Sequence, residues 1–214
     1  MLHRLLGGRP VLVLGAHPDD EMGCGATIAR LIDLEVAVHH FYLSPCTQSL
    51  EAIGLPEEQL RDECDSSRRI LGIPPENCGN FDFPVRYFPK HRQEILEEMI
   101  LLGRRIQPGL VLVPNSHDIH QDHHCVFEEA LRAYKHASVL GYEMPWNTMT
   151  MDHDCLARLE EEHMARKMEA LACYRSQAGR IYANKSFFES LARVRGVQAN
   201  AEYAECFEVI RLYL

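Results

Sequence analysis

Two short apolar runs constrain the fold of this chain more than any other feature of the sequence. Residues 11–14 read Val-Leu-Val-Leu between Pro10 and Gly15, and residues 110–113 read Leu-Val-Leu-Val before Pro114. Continuous apolar runs of this length are typical of strands that are buried on both faces of a parallel sheet. Such a sheet needs helices on both faces, so the runs predict a layered α/β protein.

The segments between the predicted strands carry apolar residues at the spacing that is typical of helices. We predict strands at 11–14, 35–43, 80–85, 110–114, 139–144 and 206–214, and helices at 22–34, 57–71, 90–106, 123–134, 155–174 and 186–195. Residues 45–56 are predicted to form a loop, and Gly72 is a natural helix stop. This alternation predicts an α/β, three-layer Rossmann-like fold with a mostly parallel sheet flanked by helices. Because no repeat or linker interrupts residues 1–214, we expect a single domain.

Composition excludes several classes of protein and function. Hydrophobic residues make up 46% and charged residues 25% of the chain, which excludes wholesale disorder and collagen-like repeats. The formal net charge of -9 disfavours nucleic-acid binding. No apolar run is long enough to span a membrane, and residues 1–8 are too short and polar for a signal peptide. The eight cysteines are scattered without a Cys-x-x-Cys pair, so we expect reduced thiols in a cytoplasmic protein, which could be a homo-oligomer.

Two clusters of potential metal ligands directly follow the two apolar runs. Residues 15–21 read Gly-Ala-His-Pro-Asp-Asp-Glu, and residues 115–124 read Asn-Ser-His-Asp-Ile-His-Gln-Asp-His-His. Functional groups in such sheets gather at the carboxyl ends of strands. Imidazole nitrogens and carboxylate oxygens bind Zn²⁺, and a set of two His and one carboxylate leaves a position open for water. Asp19 or Asp20 could simply cap a helix, but capping explains only one acceptor and not two clusters.

The same residues carry a resemblance to a known family. Ala16-His17-Pro18-Asp19-Asp20-Glu21 matches the first signature of the PIG-L/LmbE-like zinc-dependent N-acetylglucosaminyl deacetylases, and His120-Gln121-Asp122-His123 resembles their His-x-Asp-His motif. Further similarity lies in three segments along the chain: Arg61-Asp62-Glu63, Lys167 through Ser176-Gln177, and Tyr203-Ala204-Glu205-Cys206-Phe207.

The resemblance implies a zinc site and a hydrolytic reaction. His17, Asp20 and His123 would bind Zn²⁺. Asp19 would be the general base that deprotonates the zinc-bound water before it attacks the amide carbonyl. The expected reaction removes the acetyl group from an N-acetylated amino sugar or a conjugate of one, with that small molecule as the partner.

Three more residues receive roles from the resemblance. His120 would lie near the substrate carbonyl, where it stabilises the oxyanion or protonates the leaving amine. Asp122 would orient His120 or tune its charge, and Arg61 would contact the substrate.

The sequence departs from the common family pattern in two places. Residues 44–49 read Ser-Pro-Cys-Thr-Gln-Ser where many members have a Gly-rich stretch, and Gln121 stands where proline is frequent. Because specificity is usually carried by loops, we expect residues 44–56 and 144–154 to form the walls of the substrate pocket.

Two other functions fit parts of the pattern. Two His and one carboxylate also describe the metal site of non-haem Fe(II) oxygenases, although the adjacent Asp19 and the α/β pattern favour hydrolysis. A nucleotide-binding module is a third candidate, but Gly15, Gly23 and Gly25 do not form the Gly-x-Gly-x-x-Gly motif.

Overall fold

Seven strands form one mixed sheet in the computed structural model, which describes residues 6–213. The strands are β1 (Val11–Gly15), β2 (Val38–Tyr42), β3 (Cys78–Asn80), β4 (Leu110–Pro114), β5 (Ser138–Tyr142), β6 (Cys155–Leu159) and β7 (Tyr203–Arg211). Their order across the sheet is β3-β2-β1-β4-β5-β7-β6. β1 to β5 are parallel, whereas β7 runs antiparallel to both β5 and β6.

Helices cover both faces of the sheet, as the sequence predicts. They are α1 (Gly25–Asp33), α2 (Thr47–Glu51), α3 (Gln59–Leu71), α4 (Arg92–Ile106), α5 (Gln121–Ala133), α6 (Glu161–Leu171) and α7 (Lys185–Ala199). Alternate residues of β1 pack into two hydrophobic cores, one on each face of the sheet. Val11 and Val13 pack on the face that holds α1, α3, α6 and α7. Leu12 and Leu14 pack on the face that holds α4 and α5. The three-layer α/β prediction is therefore confirmed.

The predicted helix at 155–174 is wrong in its first part. Residues 155–159 form β6, which pairs with β7, and the helix starts only at Glu161. A capping box at Glu160, in which its side chain bonds the amide of His163, sets that start. The edge strand went unrecognised because its pairing partner lies about 50 residues away along the chain.

Smaller differences concern element boundaries. The predicted loop at 45–56 contains the short helix α2, and the strand predicted at 80–85 is the three-residue β3. The last strand begins at Tyr203 rather than Cys206, while Leu214 and residues 1–5 of the N-terminal segment lie outside the described residues. The helix stop at Gly72 is confirmed, since Gly72 adopts a left-handed φ of 88°.

All eight cysteines are free thiols. Among the helices of residues 6–213, none is long and apolar enough to cross a membrane.

Candidate active site

The two clusters after β1 and β4 meet at one edge of the sheet, because these strands are parallel neighbours. They open into a cavity of about 560 Å³. Both loops that were predicted as pocket walls contribute to its lining, through residues such as Cys46 and Ser49 on one side and Trp146 and Asn147 on the other.

The three residues expected to bind zinc bring their donor atoms together at the floor of the cavity. His17 Nδ1 lies 3.1 Å from His123 Nε2, and Asp20 carboxylate oxygens lie 3.3 Å from His123 Nε2 and 3.7 Å from His17 Nδ1. Zinc–ligand bonds of about 2.0–2.2 Å in a tetrahedral arrangement place neighbouring donors roughly 3.3 Å apart. The geometry and the chemistry of this donor set therefore fit a zinc ion. A nitrogen of His120 also lies within 4.8 Å of the His17 and His123 nitrogens, so this ring is a further potential metal ligand.

Each of the two histidines expected to bind zinc has a carboxylate next to its other ring nitrogen. His17 Nε2 is 3.2 Å from Asp122 Oδ2, and His123 Nδ1 is 2.7 Å from Asp118 Oδ2. Such carboxylates fix the tautomer and orientation of metal-binding histidines. Both carboxylates are buried. This pairing is a second observation that fits a metal site.

Asp122 contacts His17 as well as His120, and its expected role of orienting or tuning His120 stays a prediction. Its carboxylate contacts His17, and only its backbone amide bonds His120, at 3.2 Å from Nδ1. Asp118 was not assigned a role at all, although its carboxylate holds His123 and accepts a bond from the His120 amide. Its position two residues before His120, where an Asp side chain readily bonds the backbone, was the available signal.

The neighbouring carboxylates of Asp19 and Asp20 face different surroundings. Asp20 Oδ2 accepts hydrogen bonds from the amides of Ala16 and His17, both at 2.8 Å, so it is turned away from solvent. Asp19 lines the cavity and makes no helix-capping hydrogen bond. Burial and the charge of Asp20 raise the pKa of Asp19, which brings this carboxyl nearer to the range of a general base at neutral pH.

His120 lines the cavity as a neutral imidazole. Burial and the neighbouring charges of His17 and His123 lower its pKa to about 4. Because Nδ1 accepts the bond from the Asp122 amide, the ring proton of the neutral form is on Nε2. In this neutral form His120 presents an N–H donor at Nε2.

The pKa values of His17 and His123 shift in the opposite direction to that of His120. Burial alone would lower their pKa values. The negative charge of Asp20 and the hydrogen bonds that the rings donate to Asp122 and Asp118 instead raise the pKa of His17 to about 9 and that of His123 to about 10. A cation is therefore favoured at this point of the structure. A metal ion must displace these protons when it binds.

Glu21 connects the first motif to side chains outside it through buried hydrogen bonds. It is fully buried, accepts a hydrogen bond from Ser67 Oγ at 2.7 Å, and also bonds the hydroxyl of Tyr174. Burial raises its pKa to about 8. These contacts tie the first motif to α3 and to the segment that follows α6.

The arginines that line the cavity do not include Arg61, the one that the sequence predicts to contact the substrate. Arg61 is exposed on α3 and is not among the residues that line the cavity, so its contact with a substrate stays a prediction. Arg86 and Arg180 line the cavity instead. Neither was singled out from the sequence, because neither belongs to the two motifs.

Comparison with known proteins places these features in a family. Residues 12–134 match the family model described as PIG-L, GlcNAc-PI de-N-acetylase. An uncharacterized deacetylase, YaiS, of Escherichia coli K12 is 28% identical over 78% of the chain and 90% of its own length. A diacetylchitobiose deacetylase of Thermococcus kodakarensis is 31% identical over 63% of the chain but only 48% of its own length.

A solved structure shows the same fold. The N,N'-diacetylchitobiose deacetylase from Pyrococcus horikoshii superposes with a TM-score of 0.79 at 20% identity, over 95% of this chain and 84% of its own. The family model covers more than half of the sequence and contains both motifs that form the cavity floor. The chain therefore belongs to the PIG-L family.

Proposed function

We propose that the protein is a zinc-dependent hydrolase that removes the acetyl group from an N-acetylated amino sugar or a conjugate of one. The observation that carries the proposal is the convergence of His17 Nδ1, His123 Nε2 and the Asp20 carboxylate, with separations of 3.1–3.7 Å. Asp19 lines the cavity beside them. The family description and the two diacetylchitobiose deacetylases support an acetylated amino sugar as the substrate.

A bound Zn²⁺ would lower the pKa of water to about 7 and polarise the amide carbonyl. Asp19 is placed in the cavity to take the proton of the attacking water, and burial has already raised its pKa toward that task. The Nε2–H of His120 donates to the oxygen that becomes negative in the tetrahedral intermediate. The proton held by Asp19 then passes to the departing amine, which leaves an amino sugar and acetate.

The division of work between the two aspartates is tested by Asp19→Asn. This substitution preserves size but removes the proton acceptor, so the variant should keep its zinc and lose on the order of 10²–10⁴ in kcat. Zinc content and acetate release are measured on the same preparation. Full zinc with near-parental kcat would contradict the general-base role, and loss of zinc would mean that Asp19 and Asp20 have exchanged roles.

Metal analysis of protein prepared without chelator separates this proposal from an Fe(II) oxygenase. Zinc together with acetate release from N-acetylglucosamine conjugates supports the hydrolase. Iron together with oxygen consumption would overturn it in favour of the other metal chemistry that two His and one carboxylate allow.

A further inference from the structure

Arg86 is exposed and lines the cavity. Its Nη2 donates to Ser49 Oγ at 3.0 Å, and Arg180 on the same cavity donates to the Tyr182 hydroxyl at 2.9 Å. Within residues 6–213 neither guanidinium lies within 4.0 Å of a carboxylate oxygen, although the charge of Arg180 is close enough to act on the pKa of Asp19. The chain as a whole carries 31 Asp and Glu against 22 Lys and Arg. Guanidinium groups in such places suit the planar oxygens of carboxylates and phosphates.

The backbone holds Arg86 in a conformation that non-glycine residues rarely adopt. Its φ is +70°, in the left-handed region, and such residues persist only where their surroundings impose them. Two contacts to the second motif impose it here. The Arg86 amide donates to Asp122 Oδ2 at 2.6 Å, and the Arg86 carbonyl accepts from Gln121 Nε2 at 2.5 Å. The arginine is therefore fixed to the same residues that order the metal ligands.

Gln121 is the position at which the second motif departs from the common family pattern. A proline at this position has no side-chain donor, so it could not bond the Arg86 carbonyl. Gln121 is the first residue of α5, and its side chain is exposed. The helix does not depend on the Gln121 side chain. Its hydrogen bond to the Arg86 carbonyl instead holds Arg86 in position.

We propose that Arg86, positioned by Gln121 and assisted by the charge of Arg180, recognises an anionic group on the substrate. The inference rests on the proposed deacetylase function, because the anion is taken to be a carboxylate or phosphate attached to the N-acetylated amino sugar. Gln121 is a positioning residue that acts through Arg86. The protein is then selective for acidic conjugates rather than for neutral sugars.

The test compares three α-glycosides of N-acetylglucosamine with the zinc-loaded protein. The methyl glycoside is neutral, the 1-phosphate carries a phosphate, and the glycoside of glycolic acid carries a carboxylate. Acetate release gives kcat/KM for each. We expect at least a tenfold preference for one of the anionic substrates, and the preferred one identifies the anion.

Two substitutions test the roles of Arg86 and Gln121. Arg86→Gly removes the guanidinium, retains the amide that bonds Asp122, and relieves the left-handed φ, so it should fold. The ratio of anionic to neutral kcat/KM should fall roughly 10- to 100-fold, as is usual when a hydrogen bond between charged groups is lost. Gln121→Pro should lower the same ratio by a smaller factor, mainly through KM. Proline is tolerated at the first position of a helix, and the extended His120 before it (φ -73°, ψ 121°) is compatible with proline.

Arg104→Gln is the matched control. Arg104 is an exposed arginine on α4 that lines a separate cavity, so its loss should leave the ratio unchanged. Equal kcat/KM on neutral and anionic substrates in the parent protein, or an unaltered ratio in Arg86→Gly, would overturn the inference and leave the deacetylase function intact. No acetate release from any of the substrates would overturn both.

Discussion

Replacement of Asp118 by asparagine tests whether the carboxylates behind the histidines matter for metal binding. The Asp118 side chain is fully buried, and its Oδ2 lies 2.7 Å from His123 Nδ1. This contact holds the proton on Nδ1 and leaves Nε2 free to face Asp20 and His17. Asparagine keeps the shape, and it can still accept the bond from the His120 amide through its carbonyl oxygen. The group that faces His123 becomes an NH₂ donor, which cannot accept the Nδ1 proton.

The magnitude follows from the loss of one charge-assisted, buried hydrogen bond. Carboxylates that accept a hydrogen bond from a metal-binding histidine usually contribute a factor of about 10–100 in metal affinity. That factor corresponds to about 1.4–2.8 kcal/mol, within the range of about 1–3 kcal/mol for a buried donor that loses its partner. We therefore expect Asp118→Asn to bind zinc 10- to 100-fold more weakly than the parent.

The assay is competition for zinc against a chromogenic chelator, with thermal unfolding to confirm that the variant is folded. Asp65→Asn is the matched control, since it removes the same charge from a half-exposed carboxylate that pairs with Arg68 at 3.0 Å. Zinc affinity of the control should equal that of the parent. A folded Asp118→Asn that binds zinc within threefold of the parent would refute the reasoning.

Three further predictions follow from the site. His17→Ala, Asp20→Ala and His123→Ala should each lose stoichiometric zinc and nearly all activity, measured by metal analysis and acetate release; retention of zinc by all three would contradict the ligand assignment. Arg61→Lys should lower kcat/KM if Arg61 contacts the substrate through its planar fork, and an unchanged value would make it a surface residue of α3. In the chelator-treated protein, the raised pKa values of His17 (about 9) and His123 (about 10) contribute stability that is complete below their usual pKa of 6.5. That stability is lost as pH rises through 9–10, so the unfolding temperature should fall across this window, and a flat profile would contradict it.

Local sequence determined the layers of the fold and the position of the site. The runs at 11–14 and 110–113 are apolar at every residue, and only a strand covered on both faces accommodates such a pattern. Because both strands are parallel neighbours, the polar residues after them had to meet at one edge. The meeting of the clusters that contain His17, Asp20 and His123 could thus be anticipated from their order along the chain, whereas their assignment as zinc ligands rests on the family resemblance.

Tertiary structure alone decided which groups support those donors and what surrounds them. Asp122 turns its carboxylate to His17, which lies 105 residues away, and Arg86 reaches the cavity through a bond to Asp122 across 36 residues. The edge strand β6 exists because β7 offers it a pairing partner. Each of these contacts joins segments that are distant in sequence. Which way a side chain points at such a contact depends on the backbone geometry of both segments, and local periodicity does not encode that geometry.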